Sequence, residues 1–441
     1  MKATKIFIMA ALALMTAACS KELNDFAEQP ANGEITITAT VSSDEGATTR
    51  ALSIDGSNIA STWKISDQFA ILFNDGTNDV KRTATVSSIT VSSVTITFTI
   101  PESLANNTAC TIVYPASAAN AANTGADVAI ALAAQDGTIG NCPEVRVGTA
   151  TIDKDNHNLT SVTKLAAQNA IFKFTLKDIA GTNDKSATEF KVSDASGNVI
   201  TTVTPAAATN ELYVALPVMA AGTYWFNATI DSKPYIAKAT TAAATSAGNY
   251  YQTTVKMATI GDVIKADGKF YASGTDGAVA KIAYLGSDAE TNTTYNHGLA
   301  LALSDVSTST YKWCSQTVST CLATQYSSDS DAKADMAGIA NTDALVGHGS
   351  HTHAAASAAR NYNSGTHPTG TSAWFLPSAG QWDKMATAAG GYNNLGLLSG
   401  DNYYWSSSEK SYMRAWYFKT SPYWHNGTKT DIAHVRACLA F

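Results

Sequence analysis

Two long stretches of the chain alternate between apolar and polar residues with a period of two. In the first stretch Ile35, Ile37, Ala39 and Val41 are separated by Thr residues, which predicts a half-buried β-strand over residues 34–41. Similar alternating segments follow at residues 63–73, 83–91, 94–100 and 108–114. The pattern predicts one antiparallel β-domain over residues 34–168.

The second alternating stretch begins at residue 169. Phe172, Phe174 and Leu176 lie on one face of the predicted strand, and Lys173 and Lys177 lie on the other. Further strand segments follow at residues 189–192, 199–203, 211–216, 223–230, 235–239 and 250–257. Gly, Pro and Asn separate them at short intervals, which is typical of a β-sandwich with Greek-key connections, here over residues 169–258.

The pattern changes near residue 258, where aromatic residues and glycine become frequent. Five of the eight tryptophans fall between residues 374 and 424. Ser378 and Gln381 have the spacing of a capping box, so a helix is expected from there to about Ala389, ending at Gly390. Short aromatic strands are expected at 403–407, 415–419 and 434–440. The predicted fold class is therefore mainly β, with two tandem antiparallel β-sandwich domains followed by an α+β domain over residues 259–441.

The N-terminus has the layout of an export signal. Lys2 and Lys5 precede an apolar run over residues 6–15, small residues follow, and Cys19 comes next. The segment resembles a bacterial lipoprotein signal, which implies a signal peptide over residues 1–18 and an acylated, palmitate-bearing Cys19 that anchors the chain to the outer membrane. Residues 19–33 are then a polar tether. The alternative is an ordinary signal peptide followed by an unmodified cysteine.

Composition and motifs exclude two classes of function. The 441 residues carry 29 Lys and Arg against 36 Asp and Glu, a net charge of −7, so no basic surface for nucleic acid is expected. G-x-S-x-G, H-E-x-x-H and P-loop motifs are all absent from the sequence, so the chain is predicted not to be an enzyme, with no catalytic residues and no cofactor.

Five cysteines remain besides Cys19, so at least one is unpaired within the chain. Cys314 and Cys321 are close enough in sequence to form a disulfide that closes a hairpin, and export would permit its oxidation. Cys110 with Cys142 is a weaker pair. Because C-x-x-C and Cys/His zinc spacings are absent from the sequence, a metal site is not predicted.

Three histidines lie close together in the segment HGSHTH. His348, His351 and His353 could bind a transition metal through their imidazole nitrogens. The surrounding Gly and Ser residues favour a solvated loop instead.

The order of features over residues 20–258 resembles the fimbrillins, the pilin subunits of type V fimbriae. The resemblance rests on the lipoprotein signal, the first strand, the acidic loop ending in Thr49-Arg50-Ala51, and the segment from Trp63 to Ile71. It implies that an arginine-specific protease cuts between Arg50 and Ala51, that the strand over residues 34–41 then leaves, and that a strand from a neighbouring subunit replaces it. The exchanged apolar row would be Ile35, Ile37, Ala39 and Val41. The alternative is that Arg50 is an ordinary solvated loop residue.

Five ordered motifs over residues 259–441 resemble the C-type-lectin-like modules of bacterial surface proteins. They are YNHGLALAL at 295–303, WFLPS at 374–378 with Gln381-Trp382, YWSSSE at 404–409, AWYF at 415–418 and VRAC at 435–438. The resemblance implies recognition of a glycan or protein on a host or bacterial surface. The lectin fold is shared with formylglycine-generating enzymes, but a shared fold does not confer a shared reaction.

Aromatic side chains near the C-terminus are candidate sugar-stacking groups. Tyr423, Trp424, His425 and Asn426 are expected in a loop, since Pro422 and Gly427 flank them, and are the ligand candidates. Trp374, Trp382, Trp405 and Trp416 are expected in the core. The lectin calcium tripeptides Glu-Pro-Asn, Gln-Pro-Asp and Trp-Asn-Asp do not occur in the sequence, and calcium binding is left open.

These features predict a minor, tip-located fimbrial adhesin that is made as an outer-membrane lipoprotein and assembles with other fimbrial subunits by strand exchange. The main alternative is a permanently lipidated outer-membrane glycan-binding protein of a polysaccharide-uptake system. A fimbrial anchor that keeps its lipid is a third hypothesis.

Overall fold

A computed structural model describes residues 33–42, 53–55, 58–60, 63–90, 93–119, 132, 134–292, 294–317, 319–400, 402–419 and 423–441. These residues form two compact units. The first takes its residues from Met1–Lys173, Leu212–Ala220 and Ala244–Gln252, and the second comprises Phe174–Glu211, Ala221–Ala243 and Thr253–Phe441. Within the described ranges, every helix is too short or too polar to cross a bilayer.

The first unit contains an eight-stranded antiparallel sheet. The strands up to residue 167 are β1 (Glu34–Ser42), β2 (Ser53–Asp55), β3 (Asn58–Ala60), β4 (Gln68–Asn74), β5 (Asp79–Ile89), β6 (Ser93–Pro101), β7 (Thr108–Tyr114), β8 (Arg146–Asp153), β9 (Asn158–Thr160) and β10 (Ala166–Ala167). The order in the sheet is β1-β6-β5-β4-β7-β8-β10, β9 pairs with β8, and β2 and β3 form a separate hairpin. The alternating row of each long strand enters a shared core that includes Phe69, Ile71, Ile96 and Ile112.

A seven-stranded sheet follows in the chain. Its strands are β11 (Asn169–Asp178), β12 (Glu189–Ser193), β13 (Val199–Val203), β14 (Glu211–Pro217), β15 (Gly222–Ile230), β16 (Lys233–Thr241) and β17 (Tyr250–Thr259), in the order β13-β12-β15-β16-β17-β11-β14. Within the second unit, Phe174, Phe190 and Phe226 form an aromatic cluster with ring centroids 5.1 to 6.0 Å apart. Each of these phenylalanines is a buried residue of its own strand.

The C-terminal part of the second unit is mixed α and β. Its strands are β18 (Val263–Lys265), β19 (Phe270–Tyr271), β20 (Ala278–Leu285), β21 (Gly298–Ala302), β22 (Tyr311–Lys312), β23 (Tyr403–Glu409), β24 (Arg414–Lys419), β25 (Tyr423–Thr428), β26 (Ile432–Ala433) and β27 (Cys438–Ala440), and its helices are α1 (Asp329–Lys333), α2 (Gly338–Val346), α3 (Ala354–Arg360) and α4 (Ala379–Ala389). They form a five-stranded sheet β19-β18-β20-β21-β27, a three-stranded sheet β23-β24-β25 and the pair β22-β26.

Helix α4 begins and ends where the sequence predicts. The Ser378 hydroxyl accepts a hydrogen bond from the backbone N–H of Gln381, and the Gln381 side chain accepts one from the backbone N–H of Ser378, which completes the capping box. The helix ends at Gly390, whose φ of 76° is in the left-handed region that glycine adopts without a steric penalty.

The predicted fold class is confirmed, because the chain is mainly β and its helices lie in the C-terminal part. The two domain boundaries after residues 168 and 258 stay a prediction. Strands β8 to β10 were not predicted, because short apolar residues alternate only weakly in this region.

Candidate functional site

Strand β1 is the terminal strand in the order of the eight-stranded sheet and pairs in antiparallel register with β6. Ile37 lies opposite Phe98, Ala39 opposite Ile96, and Val41 opposite Val94. Ile37, Ala39 and Val41 are buried, Ile35 is half-buried, and Thr36, Thr38 and Thr40 are exposed. The apolar row of the predicted exchange strand is therefore part of the core of the first unit.

The other edge of β1 also has backbone partners. The backbone N–H of Thr38 donates to the carbonyl of His157 at 3.1 Å, and the N–H of Leu165 donates to the carbonyl of Ser42 at 2.8 Å. The sheet thus curls until its first strand lies between β6 and the segment 157–165. Removal of β1 would leave a slot with unpaired backbone groups on both sides and an apolar floor.

The processing residues cannot be placed in this geometry. Cys19, Arg50 and Ala51 lie outside the described residues. Lipidation at Cys19 and cleavage between Arg50 and Ala51 stay predictions.

The aromatic ligand candidates lie on a strand, and their assignment to a loop was wrong. Residues Tyr423–Thr428 form β25, which pairs with β24 along its length, since the aromatic residues of β24 favour strand structure and extend the three-stranded sheet. The side chain of Tyr423 lies outside the described part of the chain.

The alternation along β25 points neighbouring side chains in opposite directions. Trp424 is half-buried, with its ring 5.7 Å from that of Phe418. His425 is exposed, and its ring lies 6.1 Å from that of Tyr403. Asn426 accepts a hydrogen bond from Arg414 at 2.7 Å. These residues do not form one continuous surface, and a ligand-binding role stays a prediction.

The tryptophans expected in the core are buried there. Trp374, Trp382, Trp405 and Trp416 are at most 3% exposed. Their indole N–H groups donate to the backbone carbonyls of Thr366, Trp405, Tyr311 and Tyr326, respectively, at 2.7 to 3.2 Å. Each ring therefore fills the core, and those of Trp382, Trp405 and Trp416 also bond to segments that are distant in sequence.

A cleft of about 240 Å³ opens in the second unit beside the five-stranded sheet. Its walls are largely apolar, with Lys281, Asn394 and Arg436 as polar groups. Arg436 is fixed by Asp305, whose carboxylate accepts from the Arg436 Nε at 2.6 Å and from the Tyr404 hydroxyl at 2.8 Å. The motif VRAC thus places a buried guanidinium at the cleft wall, where it is paired with Asp305 and also donates to the carbonyls of Ala302 and Gly396.

A buried ion pair that the sequence reading missed lies beside two cysteines. Lys429 and Glu409 are both fully buried and bond to each other. Glu409 also accepts the backbone N–H of Cys321 at 3.0 Å and of Leu322 at 2.7 Å. A signal for this arrangement was present in the sequence, since Glu409 ends an otherwise uncharged strand, but its partner could not be identified without the fold.

The predicted cysteine pair is close in space. Cys314 and Cys321 are buried free thiols whose Sγ atoms are 3.9 Å apart. Their disulfide stays a prediction. Burial raises the pKa of the Cys321 thiol to about 11, while Lys429 acts in the opposite direction.

Comparisons with known proteins give structural likenesses only. No protein-family model and no curated protein matches the chain. A protein proposed to act in cell adhesion from Bacteroides uniformis is similar over 52% of this chain and 98% of its own, with 14% identity and a TM-score of 0.28. A fimbrial assembly protein from Parabacteroides distasonis covers 50% of this chain and 90% of its own, with 10% identity and a TM-score of 0.27. The shaft pilin of Lactobacillus rhamnosus GG is similar over 52% of this chain and 99% of its own, with 12% identity and a TM-score of 0.23. TM-scores this low do not establish a shared fold, so the functions of those proteins do not carry over to this chain.

Proposed function

We propose that this chain is a surface fimbrial subunit that assembles by exchange of strand β1. The observation that carries the proposal is that β1, the terminal strand in the order of the sheet, lies between β6 and the segment 157–165 and completes the core of the first unit with its apolar row. The fimbrillin-like order of features around Arg50 supports it, because the predicted cut lies in the sequence after this strand and before the rest of its unit.

The exchange follows from the pairing of β1. A cut between Arg50 and Ala51 would separate β1 from the rest of its unit, since the strand ends at Ser42. Its departure would leave the edge of β6 and the row Val94, Ile96 and Phe98 uncovered. A strand from a neighbouring subunit would restore both the backbone hydrogen bonds and the apolar row.

Magnitudes explain why a replacement strand is needed. Burying an Ile or Val side chain contributes about 1.5–3 kcal/mol, so Ile37 and Val41 alone contribute several kcal/mol to keeping β1 in place. Release without a substitute is unfavourable by at least that amount. A cut chain should therefore hold its own β1 until a competing strand displaces it.

The tip position is the finer part of the proposal. Strand β27 pairs with β21, and Phe441 is 3% exposed, so this strand is not available for donation to another subunit. A subunit that accepts a strand and offers β27 to no neighbour suits the end of a fimbria. The lectin-like region would then attach to a surface glycan or protein, with His425 and the cleft at Arg436 as contact candidates.

The experiment cuts the full chain with an arginine-specific protease and adds a peptide with the sequence of residues 34–42. We expect mass spectrometry to show a new N-terminus at Ala51, and a labelled peptide to displace β1 and remain bound. A peptide with Ile37 and Val41 replaced by Ser is the matched control, because its length and backbone are unchanged. It should not bind, because it lacks two of the apolar side chains that β1 buries.

The Arg50→Ala chain separates cutting from exchange. It should keep its N-terminus and exclude the labelled peptide. If the cut wild-type chain also excludes the peptide, strand exchange is wrong. If fimbrial preparations contain only chains that begin at acylated Cys19, the processing step is wrong, and the permanently lipidated glycan-binding protein becomes the better hypothesis.

A further inference from the structure

A cysteine pair and a histidine that are distant in sequence converge inside the second unit. The Sγ atoms of Cys314 and Cys321 and a ring nitrogen of His353 lie within 4.8 Å of one another, and all three residues are buried. We propose that Cys314, Cys321 and His353 form a binding site for a thiophilic transition-metal ion of the Zn²⁺ class. The proposal is independent of strand exchange.

The sulfur atoms have the separation that such an ion requires. A tetrahedral ion with Zn–S bonds of about 2.3 Å holds two sulfurs about 3.8 Å apart. The observed separation is 3.9 Å. A disulfide would instead need the two atoms at about 2.05 Å. The pair as folded therefore fits a shared metal ion better than a covalent bond.

His353 has the hydrogen bonding of a metal-ligating histidine, with one ring nitrogen bonded to a carbonyl and the other without a partner among the described residues. Its Nδ1 lies 3.1 Å from the carbonyl oxygen of Trp313, and this nitrogen donates the hydrogen bond because a carbonyl can only accept. The Nε2 lone pair is then free. Among the described residues, this Nε2 is buried without a hydrogen-bond partner, and His353 is 1% exposed. A histidine that donates through one nitrogen to a carbonyl and presents the other is the usual arrangement at metal sites.

The backbone around the three ligands is fixed by its own bonds. The N–H of Cys314 donates to the carbonyl of Lys429 at 2.9 Å, and the N–H of Cys321 donates to the Glu409 carboxylate at 3.0 Å. Ser315 donates through its backbone N–H to the carbonyl of Thr352, next to His353, at 2.8 Å. These bonds join the ligand segments to each other before any ion binds, which lowers the entropic cost of forming the site.

The charges of the pocket balance when an ion is bound. Two thiolates and a neutral imidazole carry a charge of −2, which a divalent cation neutralises, and Lys429 neutralises Glu409. The Lys429 Nζ lies 3.8 Å from the Cys321 Sγ, where it can donate to a thiolate. Binding releases the two thiol protons to solvent, and no oxidant or reductant takes part.

The half-buried His348 is the nearest further imidazole. Its ring centroid is 5.1 Å from that of His353 and 5.1 Å from that of His351. An ion held by the three imidazoles alone is the competing site, and the test must separate the two.

The experiment titrates the full chain with Co²⁺ after anaerobic reduction and removal of the reductant. We expect one equivalent to bind with thiolate-to-cobalt charge-transfer absorption and tetrahedral d–d bands, and one equivalent of Zn²⁺ to displace it. Cys314→Ser, Cys321→Ser and His353→Ala should each weaken binding by more than the about 10–100-fold that loss of a supporting contact causes. Cys142→Ala, a buried cysteine of the first unit, should leave the spectrum unchanged.

Two outcomes would overturn the proposal. The first is a wild-type chain with native circular dichroism that shows no charge-transfer band, a result that requires no variant to fold. The second is a metal affinity that survives Cys314→Ser but is lost in His348→Ala or His351→Ala, which would assign the ion to the imidazoles.

Discussion

The eight-stranded sheet and the C-terminal part of the second unit hold their strands by different means. In the sheet, β1 is held by backbone pairing with β6 and by an aliphatic row, both of which another peptide of similar pattern could supply. In the C-terminal part, indole N–H groups bond to distant carbonyls, and Lys429 and Glu409 form a fully buried pair. Generic contacts permit exchange of a strand, whereas individually matched polar contacts do not.

The largest expected effect comes from breaking the matched contacts of the C-terminal part. Lys429→Met leaves Glu409 as a buried charge without its cation, and we expect a loss of about 3–5 kcal/mol in the free energy of unfolding, measured by denaturant titration. Lys191→Met is the control, because its pair with Glu189 is exposed and should contribute about 0–1 kcal/mol. Equal losses of unfolding free energy in Lys429→Met and Lys191→Met would show that the buried pair does not stabilise the C-terminal part more than the exposed pair stabilises its own strand.

The next effect comes from weakening the row on β1. Ile37→Ala should destabilise the pairing of β1 by about 2–5 kcal/mol, because Ile37 is fully buried opposite Phe98. Hydrogen exchange of the β6 amides measures it, and these amides should exchange faster while those of β24 do not change. Thr38→Ala, on the exposed face of the same strand, should change little. Faster exchange of both the β6 and the β24 amides would show that β1 cannot be loosened without destabilising the C-terminal part as well.

Acid should lower the free energy of unfolding of the second unit by up to about 3 kcal/mol through its C-terminal part. The ring centroids of His297 and Trp225 are 4.0 Å apart. Burial lowers the pKa of His297 to about 4, with a smaller lowering by Lys238 and an opposing effect of Asp194 included in that value. The unfolded chain binds this proton near pH 6.5 and the folded chain only near pH 4, so stability is lost as pH falls from about 6.5 to about 4.

The control for the acid effect replaces the titrating group. His297→Gln should flatten the loss of stability over that range of pH, measured by thermal unfolding at fixed salt. A variant with the same pH dependence as the wild type would exclude His297 as a source. Burial also lowers the pKa of His353 to about 4, so His353 should contribute to the pH dependence that remains in His297→Gln.

The smallest effect tests a local contact. Ser378→Ala removes the helix cap of α4 and the bond from the Ser378 hydroxyl to the Asp335 carbonyl, and should cost about 1–2 kcal/mol in thermal unfolding. Thr387→Ala, on the exposed side of the same helix, should have no destabilising effect. A loss as large in Thr387→Ala would mean that helix propensity and not the cap is responsible.

Prediction from sequence succeeded where structure follows from neighbours along the chain. The alternation at Ile37, Ala39 and Val41 gave strand β1, and the spacing of Ser378 and Gln381 gave the start of α4. It was wrong at Tyr423 to Asn426, which were expected in a loop. There a flanking proline and glycine suggested a turn, but pairing with β24 extends the strand.

The sequence by itself determined the mainly β fold class, the row that β1 buries and the tryptophans of the core, because side-chain periodicity and helix capping act over a few residues. Only the tertiary structure decided that β1 lies between β6 and the segment 157–165, that Glu409 pairs with Lys429, and that Cys314 and Cys321 meet His353. Those contacts join residues that are far apart along the chain. Their partners are selected by the packing of whole sheets, which no local pattern records.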